Sequence, residues 1–374
     1  MKHLQFFATT PIGVEDIAAE EVKTLTGADP IPEIGRISFQ GKTSDIYTLN
    51  LKARTLNKIY IQLARTTFQT LEDLYKTAKN LDYTWIIDAN QTFAIKSERI
   101  GSHNFTSLDI SRTIGQAVID SYQQATGKRL KVNLDQPDVE IYCLVRNHTF
   151  LMGVNTTGES LHKRGYRVYD HPAALKPTIA AAMLKISSWT PEKPLLDPMC
   201  GGATIPIEAA LQAKNIMPSK YREKFAFLKL KICNPQDYQK TRENIQNEEK
   251  TEAKTQIYAM EKIQKHLNGG IRNAEKANVQ DAIIFKIGDA TKPEDYPDKQ
   301  FSHIIVNPPY GLRAHPKEGV RKLYENFLKA LKTRNPNATL TLITAASKRF
   351  KEAAEKTNIT IIKSRKIWHG DLPT

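Results

Sequence analysis

Asn307-Pro308-Pro309-Tyr310 has residue types, and an order, suited to chemistry on an amine. The Asn307 side-chain oxygen and the Pro308 carbonyl can each accept a hydrogen bond from an exocyclic amino group. Tyr310 can stack on the flat ring that carries the amine. The same residues also read as a plain proline-rich loop. They follow Phe301 to Val306, an apolar run of buried-strand length. Neither proline has an N–H to give to a ladder, and each restricts the residue before it, so the chain must leave the sheet there. In a parallel α/β sheet such an exit, at a strand's carboxyl end, is where ligands sit.

Three more strand ends carry similar chemistry. Leu195-Leu196 runs into Asp197-Pro198-Met199-Cys200-Gly201-Gly202, and a helix over Ile205 to Lys214 follows. Glycines let backbone approach a ligand, and the helix start offers free N–H groups. The spacing is neither a dinucleotide fingerprint nor a P-loop, which disfavours a pyrophosphate ligand. The strand Gln256 to Glu261 ends on an acid able to take both hydroxyls of a ribose. The strand Ala282 to Ile287 leads to Asp289-Ala290, whose carboxylate can accept from an adenine amino group. Each acid alone reads as a helix cap or a loop residue; together they mark successive strand ends of one β/α alternation. Gln264 to Ala277 and Tyr324 to Leu331 supply further helices and Thr339 to Thr344 a fifth strand, with Ile359 to Lys363 and Lys366 to His369 expected as the sheet's terminal hairpin. The lysine-rich stretch from Asn215 to Lys254 is expected to be a solvated insertion with a helix near Tyr238 to Lys250.

The 374 residues suffice for two or three domains. Apolar residues at 40% and charged residues at 25% are ordinary for a globular protein. The formal charge of +14 points to a polyanionic partner, nucleic acid before membrane. No apolar run reaches the ~20 residues of a membrane span, and the start is too short for a signal peptide. A soluble, cytoplasmic, monomeric protein is expected. Cys143, Cys200 and Cys233 form neither a disulfide framework nor a metal pair, so no metal is expected.

The N-terminal half carries no catalytic pattern. Residues 1–60 alternate strand and helix, and a second α+β unit follows to Thr157. Its loop 101–107 holds His103 and Phe105, with Arg99 before it and Arg112 on the next helix. A basic, aromatic-bearing loop suits RNA contact, and it also reads as a solvated loop around a buried Phe105. The segment Thr157 to Arg167 packs four basic-capable side chains, His162, Lys163, Arg164 and Arg167, into six residues, as a phosphate-contacting or a merely solvated linker.

Two stretches, Ile95 to Ser107 and Val132 to Val139, resemble the signature of THUMP domains, RNA-binding modules usually preceded by a ferredoxin-like domain. The segment from Thr157 to Pro177 resembles the bridge of THUMP-linked guanine-N2 methyltransferases. The ordered set Asp197-Pro-Met-Cys-Gly-Gly, Glu261, Asp289-Ala290 and Asn307-Pro-Pro-Tyr is similar to that of class I methyltransferases using S-adenosylmethionine. Its extension Gly311-Leu312-Arg313 looks like that of the guanine-N2 enzymes of RNA. The chain is most like the archaeal and bacterial enzymes that methylate N2 of guanine 6 in the acceptor stem of tRNA; rRNA or another tRNA guanine, and a non-catalytic RNA binder, are the alternatives.

The resemblance implies an α/β fold: a ferredoxin-like domain over 1–60, a THUMP domain over 61–157, a basic linker over 158–177 and a Rossmann-like catalytic domain over 178–374. It implies Asn307, Pro308 and Tyr310 as catalytic. It implies Pro172, Lys176, Thr178, Asp197, Met199, Cys200, Gly201, Thr204, Glu261, Asp289, Ala290 and Asn307 as cofactor-binding. Arg99, His103, Phe105, Arg112, Lys163, Arg164, Arg167 and Arg313 would contact RNA. Two positions depart from the family pattern: Gly202, where relatives often carry serine, and Glu261, where aspartate is frequent.

Overall fold

The computed structural model describes residues 3–252, 256–310, 317–370 and 372–374, leaving aside the side chains of Lys317 and Glu318. The chain forms two compact units. One comprises the chain up to Thr9, Ala19–Leu161 and Arg222–Asn244; the other comprises Thr10–Ala18, His162–Tyr221 and the chain from Ile245 on.

The first unit is built on one eight-stranded sheet. Its elements run β1 His3–Thr9, α1 Glu15–Thr26 (which begins in the second unit), β2 Ile31–Glu33, β3 Arg36–Lys42, α2 Thr43–Lys52 and β4 Lys58–Thr67. Then come α3 Leu71–Lys79, β5 Thr92–Ile100, α4 Ser107–Thr126, β6 Lys131–Val132, β7 Val139–Arg146 and β8 Thr149–Asn155. The spatial order is β2-β3-β1-β4-β8-β7-β5-β6. Strand β4 is the joint, antiparallel to β1 on one side and to β8 on the other. Its apolar residues Ile59, Tyr60 and Ile61 are buried. Helix α4 starts cleanly because Thr106 caps it and Asp109 returns a bond to the Thr106 N–H.

The insertion is not solvated as expected. Phe225, Phe227 and Tyr238 are buried. The Phe227 ring lies 5.4 Å from that of Tyr47 on α2, and Phe225 and Phe227 stack at 5.0 Å. Tyr47 also accepts a hydrogen bond from the Asn234 N–H at 2.8 Å, and Lys229 pairs with Asp138 at 2.7 Å. Burying each ring stabilises by about 2–3 kcal/mol, enough to order a stretch otherwise rich in lysine.

The second unit holds a five-stranded, wholly parallel sheet. Its elements are α5 Pro177–Ile186, β9 Leu195–Asp197, α6 Thr204–Ala213, α7 Pro235–Asn247 (which begins in the first unit), β10 Ile257–Glu261, α8 Gln264–Lys276 and β11 Ile283–Ile287. They continue with β12 His303–Val306, α9 Lys317–Arg334, β13 Thr339–Leu342 and α10 Ser347–Lys356. The order β11-β10-β9-β12-β13 means the chain works outward from β9, then returns to place β12 on the other side of β9. That reversal opens a crevice at the carboxyl ends of β9 and β12. Strands buried on both faces explain why Leu195, Leu196, Ile304, Ile305 and Val306 form unbroken apolar runs.

The expected terminal hairpin of this sheet is absent among the described residues. Ile359 to Lys363 forms no strand, and β14 Trp368–His369 pairs with β15 Leu372–Pro373 as a separate ribbon. The tail docks instead on residues 12–16, where the Trp368 N–H donates to the Ile12 carbonyl and Arg365 grips Asp16 with two bonds.

Candidate active site

At the carboxyl edge of the parallel sheet a cavity of about 590 Å³ opens. The sequence-derived residues Asp197, Met199, Cys200, Gly201, Thr204, Glu261, Asp289, Ala290, Asn307 and Pro308 all line it. They come from four separate strand ends, and the parallel register of β9, β10, β11 and β12 brings those ends together.

Asp197 and Glu261 end adjacent strands and are both buried. Asp197 accepts the Met199 N–H at 3.2 Å. Burial pushes its carboxyl well above the usual range; the Met199 bond opposes this and the nearby Glu261 charge adds to it. Glu261 is better served, accepting the Gly201 N–H at 3.0 Å and the Ile263 N–H at 2.9 Å. Gly201 has φ of +52°, and a Cβ there would meet the His171 ring at 3.4 Å, so the turn needs its glycine. Burial also raises the Cys200 thiol, with Asp197 and Glu261 adding to the effect.

Asp289 is already engaged. One oxygen accepts the Thr291 N–H and hydroxyl at 3.0 and 2.7 Å, and the other pairs with Lys262 at 2.7 Å. Burial alone would raise this carboxyl, but Lys262 and Thr291 outweigh it and hold it below the usual range.

The Asn307 amide is fixed at both ends. Its Nδ2 donates to the Ala173 carbonyl at 3.3 Å, and its Oδ1 accepts the Tyr310 hydroxyl. Tyr324 on α9 donates to the Pro309 carbonyl at 3.3 Å. The Pro308 carbonyl accepts no hydrogen bond from a described residue. Burial raises the Tyr310 phenol, so it stays protonated as a donor.

A strap over residues 166–176 closes one side, with His171, Ala173, Ala174 and Leu175 lining the cavity. Asn273 of α8, almost wholly buried, anchors it. Its Oδ1 accepts the Val168 and Tyr169 N–H groups at 2.9 and 2.8 Å, and its Nδ2 donates to the Tyr169 and Gly202 carbonyls at 3.1 and 3.0 Å. Tyr169 bonds His266 at 2.5 Å, and the His171 ring lies edge-on to His266 at 4.4 Å. Burial and the neighbouring His266 lower the His171 pKa, although Glu261 opposes them. Sequence reasoning missed Asn273, Tyr169 and His266. The one signal was an asparagine on the apolar stripe of α8, between Leu267 and Ala274.

Other expected positions fall elsewhere. Pro172 is exposed, Thr178 lies wholly inside the packed face of α5, and Lys176 is the residue preceding α5; none of the three lines the cavity. Arg164 is not on the surface. It is buried against Glu208 with two contacts at 3.3 Å, and Tyr166 donates to the same carboxylate at 3.1 Å. Arg167 turns inward, donating to the Leu175 carbonyl at 2.8 Å and to Thr204 at 3.2 Å, so it braces the strap. Phe105 is buried beside the rings of His103 and Phe68, and cannot stack on a base without leaving its packing. Arg99, Arg112 and Lys163 are exposed. His103 is half-buried and bonds the Asn147 carbonyl at 2.7 Å. Arg313 lies outside the described residues. Among the described residues no cluster could hold a metal, and no helix is long and apolar enough to cross a membrane.

Fold and site together define a class I methyltransferase, in a chain that also carries an α+β module. Residues 164–373 match the RMKL-like methyltransferase domain, 68–155 the THUMP domain and 5–60 the RlmL ferredoxin-like domain. The chain belongs to the RMKL-like methyltransferases that carry a THUMP domain. It is 42% identical to the tRNA (guanine(6)-N2)-methyltransferase of Archaeoglobus fulgidus, an alignment covering 99% of this chain and 91% of that protein. To the tRNA (guanine(6)-N2)-methyltransferase of Methanocaldococcus jannaschii it is 41% identical, covering 99% and 98%. Among solved structures, a "possible methylase" from Clostridium difficile superposes with a TM-score of 0.90 at 26% identity, covering 100% of this chain and 96% of that one. SMU.472 complexed with SAH shares the fold, with a TM-score of 0.90 at 24% identity, covering 100% and 97%.

Proposed function

We propose that this chain transfers a methyl group from S-adenosylmethionine to the exocyclic N2 of a guanosine in tRNA, at position 6 of the acceptor stem. The observation that carries the reading is the Asn307 amide, held on both sides at the mouth of a cavity ringed by strand-end carboxylates. The target nucleotide is taken from the names of the two archaeal relatives that match nearly the whole chain.

The residues present fit the cofactor. The cavity volume lies within the ~300–1,000 Å³ range of small-molecule sites. Glu261 is the acid that would hold the ribose hydroxyls, its carboxylate already aimed by the Gly201 and Ile263 N–H groups. The Gly201-Gly202 turn would let the amino-acid end approach backbone, and Met199 and Ala290 give apolar contact to the base. S-adenosylmethionine supplies an electrophilic methyl group on sulfur.

The chain's own residues prepare the nucleophile. A guanine amine is a poor nucleophile because its lone pair is delocalised into the ring. Accepting its hydrogens on Asn307 Oδ1 and the Pro308 carbonyl favours a more tetrahedral nitrogen and directs the lone pair. The amine takes the place that the Tyr310 hydroxyl occupies on Asn307 Oδ1. Freed from that bond, Tyr310 stacks on the guanine, which has left its helix. No strong base is needed: the new carbon–nitrogen bond would form as the methyl–sulfur bond breaks, and the nitrogen's proton, acidic by then, would pass to solvent. Arg99, Arg112 and Lys163 offer exposed charge for phosphates.

The test is methyl transfer from labelled S-adenosylmethionine to bulk tRNA and to rRNA, with the modified nucleotide mapped. N2-methylguanosine at position 6 of tRNA is the expected product. Label confined to rRNA would overturn the substrate and keep the chemistry, and no label in either would overturn the activity.

A further inference from the structure

The strap reaches the Asn307 amide through one residue, Ala173, which is held from both ends. Asn307 Nδ2 donates to the Ala173 carbonyl at 3.3 Å, and the Ala173 N–H donates to His171 Nδ1 at 3.2 Å. The Ala174 N–H closes the turn by bonding the His171 carbonyl at 3.0 Å. The His171 ring faces Gly201, three of its atoms standing 3.4 Å from where a Cβ would lie. It also crosses the His266 ring at 76° and 4.4 Å, and Tyr169 holds His266 in turn. Contact on two sides fixes the imidazole plane, and with it the direction of the Nδ1 lone pair.

A ring nitrogen that accepts a hydrogen bond carries no proton, so the neutral His171 holds its hydrogen on Nε2. An imidazolium carries a hydrogen on both nitrogens and has no acceptor for the Ala173 N–H. We propose that His171 is a positioning residue for methyl transfer: its neutral Nδ1 fixes Ala173, and Ala173 fixes the Asn307 amide. Protonating His171 releases Ala173, and the amide that accepts the substrate amine loses its hold on that side. The titratable groups facing the ring are His266 of α8, bonded to Tyr169, and Glu261 at the end of β10; the turn beneath it adds Asp197 and Cys200. Burial first, then His266, lower the His171 pKa against the opposing charge of Glu261, which keeps the accepting form at neutral pH. The inference rests on the methyl-transfer reading above and adds to it a residue from outside the strand-end motifs.

The test is steady-state methyl transfer to tRNA from about pH 5 to 8 by the full chain and two variants, with S-adenosylhomocysteine binding followed by calorimetry. His171→Phe keeps a flat ring on Gly201 and removes the acceptor. It is expected to lower kcat about tenfold while cofactor-product affinity changes less than about twofold. His171→Asn restores an acceptor, because an asparagine side-chain oxygen bonds the N–H two residues on, and should recover most of that loss. The unaltered chain should lose kcat as pH falls below the usual histidine value of 6.5, and His171→Asn should lack that loss. Equal losses in both variants, full kcat in His171→Phe, or an acid loss that persists in His171→Asn would each overturn the inference. A fall in affinity matching the fall in kcat would overturn it too and place His171 against the cofactor. Should His171→Phe fail to fold, His171→Leu carries the same comparison. An unaltered chain that transfers no methyl group to tRNA would overturn the activity, and this inference with it.

Discussion

Tyr310 donates its hydroxyl hydrogen to Asn307 Oδ1, the atom to which the proposed mechanism brings the substrate amine. The bond sets the amide's orientation before any substrate arrives, and the Ala173 carbonyl fixes it from the other side. Tyr310→Phe keeps the ring and loses this bond. Turnover is expected to fall about tenfold with little change in affinity for RNA. Tyr310→Ala also removes stacking and should lose on the order of 100-fold in kcat/KM. Asn307→Ala is expected to abolish turnover while calorimetry still registers cofactor binding. Retained methylation by Asn307→Ala would remove the amide from the mechanism.

Arg164 and Glu208 are both buried, so neither charge tolerates losing the other. Arg164→Met should cost about 3 kcal/mol, read as a lowered denaturant midpoint. It should leave the salt dependence of RNA binding unchanged. Lys163→Met, altering an exposed neighbour, should do the opposite: stability preserved and the salt slope reduced by about one.

A pH-sensitive group lies four residues before the strap, at His162. Burial first, then the charges of Lys176, Arg164, Lys163 and Arg167, lower the His162 pKa from 6.5 to about 4. Between those values the unfolded chain binds a proton that the folded chain refuses, so stability falls as pH drops from about 6.5 toward 4. Thermal unfolding across that window should show a shallower slope for His162→Gln. An unchanged slope would mean that other groups govern it.

Glycine substitutions can probe the strap's contact with α8. A Cβ on Gly269 would lie 2.2 Å from the Tyr169 ring, forcing that ring off His266. Gly269→Ala is therefore expected to weaken cofactor binding about tenfold or more, by calorimetry. Asn273→Ala should do likewise and also destabilise by about 2 kcal/mol, since the Val168 and Tyr169 N–H groups lose their acceptor. Gly202→Ser should be close to neutral, because its Cβ meets nothing nearer than 3.4 Å.

What the sequence determined by itself was local. Apolar runs followed by Asp197-Pro198, Glu261, Asp289 and Asn307-Pro308 mark the ends of parallel strands. The chemistry of a doubly wound sheet collects at those ends, so the cavity's strand-end lining was legible residue by residue. Tertiary structure decided what depended on distant partners. A basic run could not show that Arg164 meets Glu208, or that Arg167 turns inward to Thr204. Lysine-rich composition hid the rings of Phe225 and Phe227, which side with Tyr47 of the first unit. The orientation of the Asn307 amide depends on Ala173, 134 residues earlier, and the strap's anchor on Asn273, 104 residues beyond Tyr169. Bonds between such distant residues follow from the packing of whole helices and strands, and no local pattern of residue types encodes that packing.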